Sequence, residues 1–464
     1  MHTSLAQLQS WLGLPASASG QTALSGLFTD SRAVTPGSVF VALRGERFDA
    51  HDFLDQVVVQ GAAAVVVERA PAALAVPALL VDDTRLALGT IGQRWRQQFK
   101  LPLIAVTGSN GKTTVKEMIA AILVAAFGVD KSLATRGNFN NEIGVPLTLL
   151  RLEAGHQAAV IELGMNHPGE IAVLTSIAEP TVALVNNAQR EHQEFMASVE
   201  AVAEENGSVI RGLGRNGIAV FPADDPYTVL WRSYGAGKGG CITFGLTPDA
   251  DVHCSYNNAA NGFGSDLTVS VPDQPAFAVQ LSAAGEHNVR NALAAIACAL
   301  AIGVDVDAIK RGLESFAPVS GRLQRKLATV ATCAGALVID DTYNANPDSV
   351  RAAIDVLAQV AVPRLLVLGE MGEIGNDGRQ FHQEIGAYAQ QRGITRLFTL
   401  GDMAAEAGVA FGPQAQHFID ITALLAALDA TMTPNTTVLV KGSRFMKMER
   451  AVQHLVGTTS EGAH

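Results

Sequence analysis

Leu103-Ile104-Ala105-Val106-Thr107-Gly108-Ser109-Asn110-Gly111-Lys112-Thr113-Thr114-Val115 decides how the rest of the chain is read. The nearly continuous apolar run over 103–107 predicts a strand buried on both faces. Two glycines then turn the chain, and an apolar helix is expected over Lys112–Phe127. A strand, a glycine turn and a helix in that order form a cradle for phosphate. The glycines let backbone N–H groups curl around the oxygens, and the helix start adds the positive end of its dipole. Lys112 is expected to reach the β- and γ-phosphates, and the Thr113 hydroxyl to ligate Mg²⁺. Gly108, Ser109, Asn110, Gly111, Lys112, Thr113 and Thr114 are therefore candidate nucleotide-binding residues, with ATP and Mg²⁺ as the expected cofactors. The longer phosphate-loop pattern would place glycine at Val106; only the short form GxxGKT is present.

Outward from this loop the same rhythm of apolar strand and helix continues. Buried strands are expected at Ala158–Glu162, Thr181–Asn186 and Gly217–Phe221, a few antiparallel strands over 240–281, and a helix from His287 to Ala301. This predicts a parallel sheet covered on both faces. Before it, residues 1–98 read as a small α/β domain with strands at Val39–Leu43 and Ala64–Val67. Helices are expected there over Asp52–Gln60 and Thr84–Phe99. After Pro318-Val319-Ser320-Gly321, strands at Ala336–Asp340, Arg364–Leu368, Arg396–Leu400, Gln416–Ile419 and Thr437–Lys441 alternate with helices, as in a second doubly wound domain. The expected fold is α/β in three domains: 1–98, a central ATP-binding domain over 99–317, and a Rossmann-like domain over 318–464.

Composition excludes several classes. The 464 residues are 48% hydrophobic and 17% charged, enough apolar material for several cores and too much for a disordered chain. Lys and Arg number 33 against 44 Asp and Glu, a net charge of -11 with no basic run, so no nucleic-acid partner is expected. Met1-His2-Thr3-Ser4-Leu5-Ala6-Gln7 has no basic and apolar signal pattern, and no apolar run is long enough to span a bilayer. Cys241, Cys254, Cys298 and Cys333 form neither a CxxC pair nor a zinc spacing, which fits free thiols in a reducing cytoplasm.

Ligands of open α/β sheets sit at the carboxyl ends of the strands. Glu162 ends one strand and His192 follows another, so both are expected to join Thr113 around the metal. Asn288 and Asn291 share a helix face. Their amides could read an adenine edge or bind another strand, and Asn288 could equally be a cap. Arg322 follows the stretch 318–321, an expected hinge, and could meet the γ-phosphate when the third domain closes, or be a surface arginine. In Asp340-Asp341-Thr342-Tyr343-Asn344-Ala345-Asn346-Pro347, two acids and two asparagines end a buried strand, an expensive place unless it faces a cleft. Tyr343 offers a stacking face, and Asn346 before Pro347 also fits a helix N-cap.

These pieces resemble the Mur ligase family over nearly the whole chain. The resemblance is carried by Asp30-Ser31-Arg32, Thr107–Thr114, Gly137-Asn138-Phe139-Asn140-Asn141-Glu142, Glu162-Leu163-Gly164-Met165-Asn166, His287-Asn288-Val289-Arg290-Asn291, Tyr343-Asn344-Ala345-Asn346-Pro347 and Lys441-Gly442-Ser443-Arg444. It implies a monomeric cytoplasmic enzyme of peptidoglycan synthesis. It places Ser31 and Arg32 near UDP, and Asn138, Asn140 and Asn141 near the muramoyl-peptide. Asn291, Asp341 and Tyr343 are placed around adenosine, and Arg322 at the γ-phosphate. The Tyr-Asn-Ala-Asn-Pro turn points to the member that joins D-alanyl-D-alanine to UDP-N-acetylmuramoyl-tripeptide. On the same resemblance position 206 should be a lysine, carbamylated to help hold a second Mg²⁺. Here it is Asn206, expected either to hold the metal through its carbonyl or a water, or to cap the turn at Gly207. Two rivals are a ligase adding a single amino acid and a nucleotide-switch ATPase. The Tyr-Asn-Ala-Asn-Pro turn argues against the first, the flanking domains against the second.

Overall fold

Each residue of the strand Leu103–Thr107 is buried, and its side chains alternate between two cores. Leu103 and Ala105 face one core together with Ala159, Ile161, Ala183, Val185 and Phe221. Ile104 and Val106 face the other together with Ala158, Val160, Val182 and Leu184. Two buried faces leave no room for a polar alternation, so the strands read as apolar runs. The computed structural model describes residues 1–457 except 18, 47, 71–72, 192–193 and 260–262.

Among the described residues the central sheet has nine strands. Across it lie Phe277–Leu281, Ser265–Ser270, Val252–Asn258, Gly240–Gly245, Ile218–Pro222, Val182–Val185, Leu103–Thr107, Ala158–Glu162 and Ser132–Ala134. The pairings among Val252–Asn258, Ser265–Ser270 and Phe277–Leu281 are antiparallel, and the others among the described residues are parallel. Gly240–Gly245 runs parallel to Ile218–Pro222, which corrects the antiparallel expectation for the start of that region. Helices Lys112–Phe127 and Glu286–Ala301 cover one face.

The N-terminal residues hold a four-stranded parallel sheet and a two-stranded antiparallel one. They merge with the central core, since Leu5, Leu8, Val39 and Val41 belong to the same apolar cluster as Leu103. Helix Thr84–Arg96 makes the join. Asp83 caps it by accepting from the N–H groups of Arg85 and Leu86. Gly92 lets it lie against Pro146, where a Cβ would approach within 2.8 Å. At its end buried Arg96 donates to the carbonyls of Ala178, Phe99, Leu101 and Glu179, so its charge is solvated by helix and loop ends.

The C-terminal sheet has six strands: Gln324–Leu327 as an antiparallel edge, then Leu337–Asp341, Thr437–Lys441, Arg364–Gly369, Arg396–Leu400 and Ala415–Phe418 in parallel. It has its own cores on both faces. On one of them helices Gly378–Gln391 and Ala405–Phe411 touch through Gly386, whose missing Cβ would fall 2.0 Å from the Ala407 carbonyl oxygen. Gly386→Ala is therefore expected to cost about 2 kcal/mol or more through overpacking. Thermal denaturation checks this, and an unchanged Tm contradicts it. The four cysteines are all free thiols. No helix among the described residues is long and apolar enough to cross a membrane.

Candidate active site

The strand Leu103–Thr107 sits between Ala158–Glu162 and Val182–Val185, with Val106 opposite Glu162 and Thr107 opposite Val185. Three strand ends thus open side by side at one edge. Above them a cleft of about 1250 Å³ separates the central and C-terminal domains.

The phosphate loop depends on two glycines. Gly108 has φ 132° and Gly111 φ 81°, conformations that carry a penalty for any residue with a Cβ. Space forbids a side chain as well. A Cβ on Gly111 would lie 2.5 Å from Asn291 Oδ1 and 2.7 Å from Asn186 Nδ2. The segment after Val182–Val185 clasps this turn from the side. Asn187 Oδ1 accepts from the Asn110 N–H at 2.9 Å, while the Asn186 and Asn187 amides donate to the Asn110 carbonyl. Gln189 Oε1 accepts from Asn110 Nδ2 at 2.6 Å, and Ser109 Oγ accepts from the Gln189 N–H. Lys112 Nζ bends over the loop and donates to the carbonyls of Gly108 and Ser109, with Glu191 Oε2 at 3.3 Å.

Thr113 Oγ1 donates to Glu162 Oε1 at 3.2 Å, and Asn140 Nδ2 donates to the same oxygen at 2.9 Å. Glu162 is buried, and its Oε2 has no hydrogen-bond partner among the described residues. A buried carboxylate oxygen left unpaired beside a threonine hydroxyl suits a hard dication, which takes oxygen ligands and completes its shell with phosphate and water. The donor set therefore fits Mg²⁺. His192 lies outside the described residues, and among those described no three His, Cys, Asp or Glu groups cluster as a metal site.

The C-terminal domain closes the cleft from the opposite side. Gly321 has φ 71°, and its carbonyl accepts from the Tyr343 N–H. Arg322 then stacks over the Tyr343 ring at 4.2 Å and donates through Nη2 to Thr113 Oγ1 at 2.9 Å. Arg322 is thus a bridge between domains, not a free surface group. Asp341 accepts from the Leu323 N–H and pairs with Lys441 Nζ at 2.6 Å, both largely buried. Asn346 does two jobs: its Oδ1 caps helix Pro347–Leu357, and its Nδ2 donates to Asn110 Oδ1 at 2.9 Å.

Asn291 accepts from Asn186 Nδ2 at 2.9 Å and donates to Asn288 Oδ1, so the asparagine pair buttresses the loop beneath Gly111. His287 lines the cleft beside them, and burial holds its pKa below the usual histidine value. Asn141 Oδ1 accepts from the Gly144 N–H at the start of a short helix, and Asn138 lines the cleft. Ser31 and Arg32 do not line it. They lie on the N-terminal domain, where the Arg32 guanidinium and backbone N–H donate to both carboxylate oxygens of Asp30 and hold that carboxyl down at about 2.

Asn206 departs from the capping expectation. It lies inside helix Val199–Arg211, fully buried, and caps nothing. Its Oδ1 accepts from Thr107 Oγ1 at 2.7 Å, which ties the helix to the strand below the phosphate loop. Its Nδ2 has no partner among the described residues. Neighbouring Glu205 is no substitute ligand, because it accepts from the N–H groups of Gly169 and Ile171 at the start of helix Glu170–Ala178.

Profiles of known families cover most of the chain. Residues 23–96 match the Mur ligase family catalytic domain, 106–299 the Mur ligase middle domain, and 321–444 the Mur ligase glutamate ligase domain. The UDP-N-acetylmuramoyl-tripeptide–D-alanyl-D-alanine ligase of Escherichia coli K12 is 42% identical over 93% of this chain and 94% of its own. The chain belongs to the Mur ligase family. Among solved members, a crystal structure of MurF from Acinetobacter baumannii superposes with a TM-score of 0.90 at 35% identity, covering 99% of both chains. MurF of Thermotoga maritima in complex with ADP gives 0.82 at 27% identity, over 93% of this chain and 97% of that one. Nothing in the local sequence marks Asn187, Gln189 or Lys441 for the contacts they make, and Asn186 reads only as a strand end. Within the Mur ligase fold each acts through a partner far away in the chain.

Proposed function

We propose that this Mur ligase joins D-alanyl-D-alanine to UDP-N-acetylmuramoyl-tripeptide at the expense of ATP, in cytoplasmic peptidoglycan precursor synthesis. The observation that carries this reading is the meeting, in one cleft, of Lys112, the Glu162–Thr113 pair and Arg322 from the opposite domain. The similarity to ligases of that name over nearly the full length supports the choice of substrates.

The chemistry follows from charge. The terminal carboxylate of the tripeptide attacks the γ-phosphorus of ATP, the bond to the β–γ bridging oxygen breaks, and ADP leaves. The amine of D-alanyl-D-alanine then attacks the acyl carbon. The tetrahedral adduct loses inorganic phosphate and the amine its proton, leaving the amide. The first step drives an anion onto a polyanion, so cations decide its rate. Lys112 faces the phosphates from the loop and Arg322 from the closing domain. Thr113 and Glu162 would hold Mg²⁺, which when bound neutralises phosphate oxygens. Ser31 and Arg32 are proposed for the UDP end, and Asn138, Asn140 and Asn141 for the muramoyl-peptide. Tyr343 is proposed for adenosine with Asn291 and Asp341 beside it, and His192 for the metal. Closure excludes water that would hydrolyse the acyl-phosphate.

Phosphate release with UDP-N-acetylmuramoyl-tripeptide, comparing D-alanyl-D-alanine with single amino acids, tests the reading. Release only with the dipeptide is expected. Release with a single amino acid points to a different ligase, and release without muramoyl substrate to a switch ATPase. Asn206 adds a second expectation: an amide cannot be carbamylated, so turnover should be the same in CO₂-stripped buffer and with added bicarbonate at fixed pH. A several-fold stimulation would mean that a lysine elsewhere supplies a carbamate.

A further inference from the structure

The segment that clasps the phosphate loop has a second face. Arg190, next to Gln189, points away from the loop and into the C-terminal domain. Its Nε lies 3.2 Å from both carboxylate oxygens of Asp348, and its Nη2 donates to Oδ1 at 2.6 Å. Its backbone N–H donates to Asp348 Oδ2 at 3.0 Å. Nη1 and Nη2 also reach Glu384 at 2.8 and 3.1 Å, and the guanidinium lies 5.3 Å from the centre of the Phe381 ring. One side chain thus holds two acids of the other domain in fork geometry, at sites only 23–31% exposed. Such pairs are stronger than surface ion pairs because they are bidentate and poorly screened. Glu384 has a second cation in Arg351 at 3.0 Å.

The two faces are joined by very little chain. Asn187 and Gln189 hold Asn110, and Glu191 meets Lys112. Asp348 is the second residue of the helix whose cap, Asn346, also touches Asn110. A shift of the phosphate loop must therefore move Arg190, and a swing of the C-terminal domain must pull on the loop.

We propose that Arg190 is a positioning residue that fastens the C-terminal domain over the cleft, and that residues 186–191 link nucleotide binding to this fastening. The proposal rests on the reading of the cleft as a nucleotide site. The guanidinium is already spent on Asp348 and Glu384, so its action is on domain position, not on phosphate. Affinity for a nucleotide held between the two domains scales with the fraction of molecules that are closed.

The test uses the full chain with ADP as probe, in wild type and in Arg190→Ala, Arg190→Lys, Asp348→Ala and the Arg190→Ala/Asp348→Ala double variant. Arg190→Ala is expected to weaken ADP binding about tenfold, as for loss of a close interdomain charge pair. It should also enlarge the radius of gyration in small-angle scattering. Arg190→Lys should recover part of both. The double variant should be no weaker than the worse single one, because the same contact is lost twice. In turnover, KM for ATP should rise with kcat largely kept, since saturating nucleotide restores closure. Unchanged ADP affinity and radius in Arg190→Ala, or additive losses in the double variant, would overturn the clasp. Binding and scattering need no acceptor substrate, so a failed ligation assay leaves this test standing. If the wild type binds no ADP, the nucleotide reading fails and the radius of the ligand-free variants still decides the clasp.

Discussion

Lys112→Ala is expected to lower kcat by at least about a hundredfold, the scale on which a preorganised charge stabilises a transition state. In the proposed site the loop brings one full cation to the phosphates, Lys112. The helix start behind it contributes only about half a charge. Arg322 approaches from the other domain and bonds Thr113, so it stands on the opposite side of the site. The substitution should not unfold the loop. Asn110, between the two glycines, is held by Asn186 and Asn187, and Asn291 braces Asn186; none of these contacts involves the lysine. Steady-state kinetics and a melting curve separate the two effects. Most of kcat retained, with KM for ATP little changed, would contradict the assignment of the loop.

Glu162→Gln is expected to separate rate from stability even more sharply. Glutamine keeps the shape and an oxygen to accept from Asn140 and Thr113. It removes a negative charge that is buried with one oxygen unpartnered among the described residues, an arrangement that costs folding energy. Tm should therefore stay level or rise. Turnover should fall about a hundredfold, with a higher Mg²⁺ requirement, if the carboxylate holds the metal that neutralises the phosphates. A residue that gains stability when neutralised and loses rate is one whose cost is kept for function. Lower Tm with intact turnover would make Glu162 a structural residue.

Much of this frame was legible in the sequence because burial on two faces leaves so plain a mark. Leu103–Thr107, Ala158–Glu162, Arg396–Leu400 and Thr437–Lys441 have the bounds their apolar runs predict. Helix Lys112–Phe127 does too, because Gly111 and Gly128 delimit it. Short edge strands left no such mark. Ser132–Ala134 has three residues, and Gln324-Arg325-Lys326-Leu327 is polar because one side faces solvent. The alternation and turn residues over 240–281 suggest antiparallel strands, Gly240–Gly245 among them. Its partner is Ile218–Pro222, reached through helix Thr228–Gly235, and a crossover helix makes the pair parallel.

The site divides in the same way. Residues within one turn of a motif could be named from their neighbours, as Lys112, Thr113 and Glu162 were. Those that act across the sheet or across domains could not. Asn187 reaches Asn110 only because their strands are adjacent, and Lys441 meets Asp341 because Leu337–Asp341 and Thr437–Lys441 pair. Asn206 shows the limit most plainly. Its spacing from Gly207 suggested a cap, while the helix runs on to Arg211 and buries it against Thr107.

In the proposed function, Lys112, the Glu162–Thr113 pair and Arg322 serve the transfer of a phosphoryl group from ATP to a carboxylate. The most direct measurement uses UDP-N-acetylmuramoyl-tripeptide whose terminal carboxylate carries heavy oxygen. Phosphate formed during ligation to D-alanyl-D-alanine is then analysed by mass spectrometry. Attack of that carboxylate on ATP predicts one labelled oxygen in each phosphate released. Phosphate without label, with amide formed in equal amount, would contradict it.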